Sequence, residues 1–234
     1  MVKITEKELV KYIDQTNLKV EADEKEMTQF IEEAKKYEFY GVAVMPYWVP
    51  LASKIVKGSK TKVVAAVGFP SGTMPTESKV EETKWCVENC SADLEIDVVM
   101  NLSWLRSGRY DLVRKEINEI VKAADGRIVK VIIEAPLLSK EEIVIASLLA
   151  EAAGAHFVKT STGFKGFHGW RPTTPDDVRL IRSVIGEKMK IKAAGGIKTT
   201  AHALAIIEAG ASRIGTSSGV QIVEGLRRLR EWKR

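Results

Sequence analysis

The 234-residue sequence has little of what several classes of protein require. Its two cysteines, Cys86 and Cys90, lie four residues apart in a predicted helix with no histidine nearby, so we interpret both as packing residues rather than a disulfide or metal site. The longest stretch without a charged residue, 39–53, has 15 residues and contains Pro46 and Pro50, which excludes a membrane span. No secretory signal is visible at the start, so we predict a cytoplasmic protein.

The sequence also has only a small excess of positive over negative charge. The 36 Lys and Arg residues oppose 31 Asp and Glu residues, for a formal net charge of +5. Hydrophobic residues make up 45% and charged residues 29%, as in an ordinary globular protein. Basic residues are concentrated only in 227–234, which we interpret as the solvated face of a final helix. We therefore expect neither a nucleic-acid partner nor a membrane partner.

Short apolar runs alternate regularly with charged segments of helical period, which is typical of βα units. The predicted strands are 11–14, 41–46, 62–68, 94–100, 128–134, 156–160, 190–194 and 212–216. Thr5 with Glu8 and Ser139 with Glu142 have the spacing of capping boxes at helix starts. Eight such units without a linker predict a single (β/α)8 TIM barrel domain over 1–234. A doubly wound open sheet is the alternative, because periodicity alone does not show closure.

Charged residues stand on three predicted strands, near the ends where barrel enzymes place their catalytic groups. Glu95 and Asp97 share one side of a strand, Lys159 ends another, and Lys192 lies near the end of a third. Salt bridges that close the top of the barrel would explain any one of them. Two lysines and an aspartate converging there favour chemistry, because a buried lysine loses its proton readily and a neutral amine attacks carbonyl groups.

Glycine-containing loops follow the seventh and eighth predicted strands. Their candidate residues are Gly195, Gly196 and Lys198 after the seventh strand, and Gly215, Ser217 and Ser218 after the eighth. Loops of this kind lead into helix N-termini, where backbone N–H groups and the helix dipole bind phosphate. Glycine pairs also make plain turns, but two such loops on adjacent strands favour an anion site.

Several motifs together carry a resemblance to a known family. They are Ile-Asp-Gln-Thr-Asn-Leu-Lys (13–19), Val-Gly-Phe-Pro-Ser-Gly (67–72), Glu-Ile-Asp-Val-Val-Met-Asn (95–101), Val-Lys-Thr-Ser-Thr-Gly-Phe (158–164), Lys-Ala-Ala-Gly-Gly-Ile-Lys-Thr (192–199) and Gly-Thr-Ser-Ser-Gly (215–219). In this order, from the first strand to the last, the sequence resembles the deoxyribose-phosphate aldolases.

The resemblance implies a class I aldolase, a lyase of deoxyribonucleotide catabolism that needs no metal or organic cofactor. It would cleave 2-deoxy-D-ribose 5-phosphate reversibly to D-glyceraldehyde 3-phosphate and acetaldehyde. Lys159 would form the Schiff base, Lys192 would lower the pKa of Lys159 and join proton transfer, and Asp97 would move protons with a water. The substrate site implied by the motifs comprises Gly163, Gly195, Gly196, Lys198, Gly215, Ser217 and Ser218, with Asp14 and Thr16 near the lysines. We expect a phosphosugar and acetaldehyde as small-molecule partners, and assembly into a homo-oligomer.

The sequence departs from the family pattern in four places, one of which is Met45, where Asn-Pro is common. Gln15 stands where histidine is frequent, no tyrosine follows Tyr110, and the segment 165–172 is longer and bulkier than usual. That segment would form either a lid or an oligomer contact. Two alternatives to the implied function are a Schiff-base aldolase for another phosphorylated sugar or keto acid, and a barrel that binds phosphorylated metabolites without turnover.

Overall fold

The computed structural model describes residues 4–231, and eight parallel strands within them close into a barrel. The strands are β1 (Ile13–Thr16), β2 (Gly41–Val44), β3 (Lys62–Val67), β4 (Leu94–Val99), β5 (Ile128–Ile132), β6 (Phe157–Lys159), β7 (Lys190–Ala194) and β8 (Arg213–Thr216). Each strand pairs with the next one along the chain, and the register of Asp14 with Gly215 closes β1 onto β8. The predicted barrel is confirmed, and the open sheet is excluded.

Helices surround the barrel. Those in the described residues are α1 (Glu6–Leu9), α2 (Glu24–Lys36), α3 (Val49–Val56), α4 (Thr76–Glu88), α5 (Leu102–Arg106), α6 (Tyr110–Ala123), α7 (Lys140–Ala152), α8 (Pro175–Val184), α9 (Thr200–Glu208) and α10 (Gly219–Glu231). The capping boxes predicted at Thr5 and Ser139 are both formed. Of the basic segment 227–234, α10 includes the part up to Glu231, and 232–234 lie outside the described residues.

The first strand begins two residues later than predicted. After α1 the chain continues as a 3-10 turn, Val10–Tyr12, in which the Tyr12 backbone is not yet extended. The apolar run that predicted a strand from Lys11 therefore belongs partly to this turn. The other seven strands begin and end within two residues of their predicted bounds.

Side chains alternate between the two faces of each strand. On β4, Leu94, Ile96 and Val98 belong to the apolar core between barrel and helices, whereas Glu95 and Asp97 point into the barrel. The same alternation brings four cationic side chains inside: Lys130, Lys159, Lys192 and Arg213. The barrel interior thus holds a cluster of ionic side chains, and the main apolar core lies between the barrel and the helices.

Two further expectations concern the cysteines and membrane association. Cys86 is buried in α4 and Cys90 packs against the core, both as free thiols. Between residues 4 and 231, every helix is too short or too polar to cross a bilayer.

Candidate active site

Asp97 lies at the centre of a cluster of charged side chains inside the barrel. Its Oδ2 accepts hydrogen bonds from Lys159 Nζ at 2.8 Å and from Lys192 Nζ at 2.7 Å. Its Oδ1 accepts a third bond, from Lys130 Nζ at 2.9 Å. The structure thus brings together the three residues that the sequence identified as candidate catalytic groups, and adds Lys130. Their catalytic roles remain predictions.

Two further carboxylates extend the cluster toward β8. Asp14 accepts hydrogen bonds from Lys192 Nζ at 2.5 Å and from Arg213 Nη1 at 3.2 Å. Glu95 Oε2 lies 2.7 Å from Lys130 Nζ and 3.6 Å from Arg213 Nη1. Asp14, expected as a polar contact near the lysines, therefore acts on Lys192 directly.

The cluster contains one more cation than it has carboxylates. The cations are Lys130, Lys159, Lys192 and Arg213, and the carboxylates are Asp14, Glu95 and Asp97, all exposed to 5% or less. An uncompensated charge at such depth is costly. The cluster is balanced when one lysine is neutral.

The surroundings favour Lys159 as the neutral lysine. Burial lowers the pKa of Lys159, and the ammonium groups of Lys192 and Lys130 lower it further, against the attraction of Asp97. Burial also acts to lower the pKa of Lys130, but Asp97 and Glu95 outweigh it and the pKa is raised. Burial acts to raise the pKa of Asp97, yet the three ammonium groups hold it well below the usual range. The arrangement thus favours a neutral amine at Lys159 beside an ionised carboxylate.

A cavity of about 540 Å³ opens above this cluster at the carboxyl ends of the strands, and Lys159 lines it. Most of the predicted substrate site lines the same cavity: Thr16, Gly163, Gly195, Gly196, Lys198, Gly215 and Ser217. Asp14 and Ser218 are not among the lining residues. Asp14 is fully buried, and the Ser218 N–H donates to Thr216 Oγ1 at 2.9 Å. The structure therefore separates Asp14 and Ser218 from the other candidates, and the binding role of each remains a prediction.

The loop after β7 takes a shape that requires glycine. Gly195 and Gly196 have φ angles of +95° and +75°. A Cβ on Gly195 would lie 2.9 Å from Ser161 Oγ, and one on Gly196 would lie 2.7 Å from Pro172 Cβ. The loop then enters α9, capped by Thr199. Backbone that lines the cavity and leads into a helix N-terminus suits an anion, and the phosphate site stays a prediction.

The segment 165–172 borders the cavity through Lys165. Lys165 Nζ lies 5.8 Å from the centre of the Trp170 ring. Arg171 donates two hydrogen bonds to Asp177 in α8, at 2.7 and 2.8 Å, and Pro172 packs against Gly196. The far end of the segment is therefore tied to α8 and to the glycine loop.

Sequence analysis missed several residues of the site. Lys130 and Arg213 complete the ionic cluster, while Phe30 and Phe69 contribute apolar area to the cavity wall. Phe69 stood within a motif that carried the family resemblance, whereas Lys130 stood within an apolar run and gave only a weak signal. The chain offered no comparable signal for Phe30, which lies on α2.

Comparisons with known proteins agree with this geometry. The family model of the DeoC/LacD family aldolases matches residues 9–225. A deoxyribose-phosphate aldolase of Thermococcus gammatolerans is 50% identical over 224 residues, which are 94% of this chain and 97% of that protein. One from Streptococcus sanguinis is 47% identical over 217 residues, 93% of this chain and 96% of that protein.

Solved structures show the same architecture. An aldolase designated QR15 has a TM-score of 0.88 and 40% identity, with 100% of both chains covered. A tetrameric deoxyribose phosphate aldolase from Aeropyrum pernix has a TM-score of 0.87 and 33% identity, and covers 96% of this chain and 93% of its own.

Proposed function

The chain belongs to the DeoC/LacD family of aldolases and is a lyase, and we propose that it cleaves 2-deoxy-D-ribose 5-phosphate through a Schiff base at Lys159. The products would be D-glyceraldehyde 3-phosphate and acetaldehyde. The names of the relatives support the substrate. The observation that carries the Schiff base is the position of Lys159, which lines the cavity while burial lowers its pKa.

In the first step the neutral amine of Lys159 adds to the C1 aldehyde of the open-chain sugar. Loss of water gives an imine, whose protonated nitrogen accepts the electron pair released when the C2–C3 bond breaks. The C3 hydroxyl gives its proton, through a water, to the Asp97 carboxylate as it becomes the aldehyde of glyceraldehyde 3-phosphate. This chemistry needs neither a metal nor an organic cofactor, because the imine is the electron sink.

The remaining enamine must gain a proton at C2 before hydrolysis releases acetaldehyde. Asp97 and Lys192 share a hydrogen bond of 2.7 Å beside Lys159, which suits a carboxylate–lysine pair that moves protons through a water. Asp14 holds the other side of the Lys192 ammonium and fixes its direction. These contacts support Asp97 and Lys192 as the proton-transfer pair.

The phosphate would bind on the loops after β7 and β8, which line the same cavity as Lys159. Gly195 and Gly196 supply backbone there, and Lys198 and Ser217 line the same wall. Binding energy at this remote group holds C1 against Lys159 and keeps the reacting bond in one orientation.

Borohydride trapping tests the proposal. Reduction in the presence of acetaldehyde should add one ethyl group to the protein, and peptide mapping should place it at Lys159. Lys159→Arg keeps a cation but cannot form the imine, so it should remain unlabelled. Labelling at Lys192 instead would overturn the assignment of the Schiff base to Lys159. If the protein cleaves another phosphorylated sugar faster than deoxyribose 5-phosphate, the alternative of a different aldolase specificity is supported.

We also propose that copies of the chain associate with one another. The support is the Aeropyrum pernix relative, which is described as tetrameric. Sedimentation equilibrium at micromolar concentration should give a mass above that of one chain, and a monomer at every concentration would contradict the proposal.

A further inference from the structure

Glu134, just after the end of β5, adopts a left-handed backbone conformation that costs energy for a residue other than glycine. Glu38, Asp125 and Glu134 are the non-glycine residues with positive φ between residues 4 and 231. Glu38 and Asp125 are exposed and follow the last turns of α2 and α6, where a left-handed residue is ordinary. Glu134, with φ 51° and ψ 50°, follows a strand and is only 1% exposed. Strain of this kind persists only when surrounding contacts enforce it.

The contacts that enforce it involve the chain just beyond Lys159. The backbone N–H groups on either side of Glu134 donate to that segment: Ile133 to the Lys159 carbonyl at 3.0 Å, and Ala135 to the Thr160 carbonyl at 2.7 Å. The left-handed turn between them directs the Glu134 side chain along the same segment.

The Glu134 carboxylate binds the following turn with both oxygens. Oε1 accepts from Ser161 Oγ at 2.5 Å, and Oε2 accepts from the Thr162 backbone N–H at 3.0 Å. In the described part of the chain, no Lys or Arg forms an ion pair with this carboxylate. Burial of a carboxylate without a cation costs free energy, and the hydrogen bonds to the turn offset this cost. Those bonds therefore hold the carboxylate and the turn together.

Ser161 carries this anchor to the cavity wall. Its Oγ also accepts from the Gly163 N–H at 2.9 Å. The same oxygen packs so closely against Gly195 that a Cβ there would lie 2.9 Å away. Gly163 and Gly195 both line the cavity and are candidate phosphate contacts. Through Ser161, Glu134 therefore connects the Lys159 strand with Gly163, in the loop after β6, and with Gly195, in the loop after β7.

We propose that Glu134 is a positioning residue that fixes the phosphate-binding glycines relative to Lys159. This inference rests on the proposed function. It predicts that loss of the Glu134 carboxylate reduces the contribution of the substrate phosphate to kcat/KM, while imine formation with acetaldehyde is largely retained.

The experiment compares Glu134→Ala, Glu134→Gly and Glu134→Gln with the wild type. Glu134→Ala should lower kcat/KM for deoxyribose 5-phosphate by about tenfold to a hundredfold, the range expected when a charge-assisted contact is lost. The loss with unphosphorylated deoxyribose, and the change in acetaldehyde trapping, should be no more than a few-fold. Glu134→Gly relieves the backbone strain without restoring the anchor, so it should be as defective as Glu134→Ala.

Glu134→Gln is the variant expected to disturb folding least. Its amide has one acceptor oxygen for the two donors, so its loss should be intermediate. Glu38→Gly and Asp125→Gly are matched controls, since they relieve the same backbone strain on the surface and should leave kcat/KM unchanged. Ser161→Ala combined with Glu134→Ala should lose less than the sum of the two single losses, because the two side chains share one hydrogen bond.

Amide hydrogen exchange separates this inference from the proposed function, because it needs no substrate. Exchange in residues 160–164 should be faster in Glu134→Ala and Glu134→Gln than in the wild type and the two surface controls. Unchanged exchange, full activity of Glu134→Gly, or equal losses with both sugars would overturn the positioning role. A wild type that releases no acetaldehyde from deoxyribose 5-phosphate would instead overturn the proposed function, with the exchange result still testing the anchor.

Discussion

Replacing Lys130 with methionine removes one cation from the cluster, and we expect the pKa of Lys159 to rise. Two effects act in the same direction. The repulsion between the Lys130 and Lys159 ammonium groups disappears, and Asp97, which now shares its charge with one lysine fewer, attracts Lys159 more strongly. With three cations facing three carboxylates, the balanced state of the cluster is the one in which Lys159 is charged.

The size of the effect follows from the geometry. Lys130 Nζ and Lys159 Nζ bond to the two oxygens of one carboxylate, at 2.9 and 2.8 Å, so the two ammonium groups lie close enough to repel each other directly. At an effective dielectric constant of about 20, unit charges about 5 Å apart interact by about 3 kcal/mol. Water entering the vacated space will screen part of this. We therefore expect the pKa of Lys159 to rise, and the fraction of neutral amine at pH 7 to fall by about tenfold to a hundredfold.

The rate of borohydride trapping with acetaldehyde, measured against pH, reports this pKa without requiring turnover. The Lys130→Met profile should move to higher pH, and the Lys130→Arg profile, which keeps the charge, should stay near the wild type. Glu95→Gln removes a carboxylate instead, and its profile should move to lower pH. Lys130→Met combined with Glu95→Gln restores the excess of one cation and should return the profile toward the wild type.

Removing one partner of a buried ion pair destabilises a protein by about 3–5 kcal/mol. The thermal unfolding of each variant must therefore be measured together with its trapping profile, to show that the variant is folded. The double variant controls for this loss, because it removes both partners of the Lys130–Glu95 ion pair. The charge-balance reasoning fails if Lys130→Met and the wild type have superimposable profiles, or if Glu95→Gln shifts the profile in the same direction as Lys130→Met.

Three further predictions concern other lysines. Lys192→Leu should move the trapping profile to higher pH and Lys192→Arg should move it much less; superimposable profiles for both variants and the wild type would show that burial, not Lys192, sets the pKa of Lys159. Lys198→Ala should lower kcat/KM for deoxyribose 5-phosphate by about tenfold to a hundredfold and leave unphosphorylated deoxyribose nearly unaffected, whereas equal losses would make Lys198 structural. Lys79 is fully buried, and its Nζ lies 2.7 Å from Glu116 Oε1. Lys79→Met should lower the free energy of unfolding by about 3–5 kcal/mol, and Lys79→Met combined with Glu116→Leu should lower it by less. Additive losses in chemical denaturation would contradict the last prediction.

The barrel and the meeting of Asp97, Lys159 and Lys192 were predictable because both follow from local pattern. Apolar runs of strand length recur between helical segments, and charged residues at strand ends must meet where parallel strands end together. Closure was not predictable from periodicity, since it depends on the pairing of β1 with β8 across nearly the whole chain. The late start of β1 depended on a single 3-10 turn, which the apolar pattern does not distinguish from extended chain.

Lys130, Arg213 and Glu134 were missed for a different reason. Each stands in or beside an apolar run, where a single charged residue is a weak signal until its face of the strand is known. Lys130 is the clearest case, because Ile128–Ile132 predicts a buried strand and says nothing about the side to which its middle residue points. The closed register supplies that information, since Asp97 pairs with Lys130 on adjacent strands and both point inward.

The same register changes the account of how Lys159 becomes a nucleophile. The sequence-based hypothesis gave Lys192 the leading part, which required Asp97 to lie closer to Lys192 than to Lys159. The two distances, 2.7 and 2.8 Å, are nearly equal, so Asp97 does not favour one lysine strongly over the other. Instead Asp97 divides its attraction among three ammonium groups, while Asp14 and Glu95 give Lys192 and Lys130 a second carboxylate each. Among residues 4–231, Lys159 has no second carboxylate partner, and burial is the first cause of its lowered pKa. The lowered pKa of Lys159 is therefore a consequence of burial and of how the cluster distributes three carboxylates among four cationic side chains.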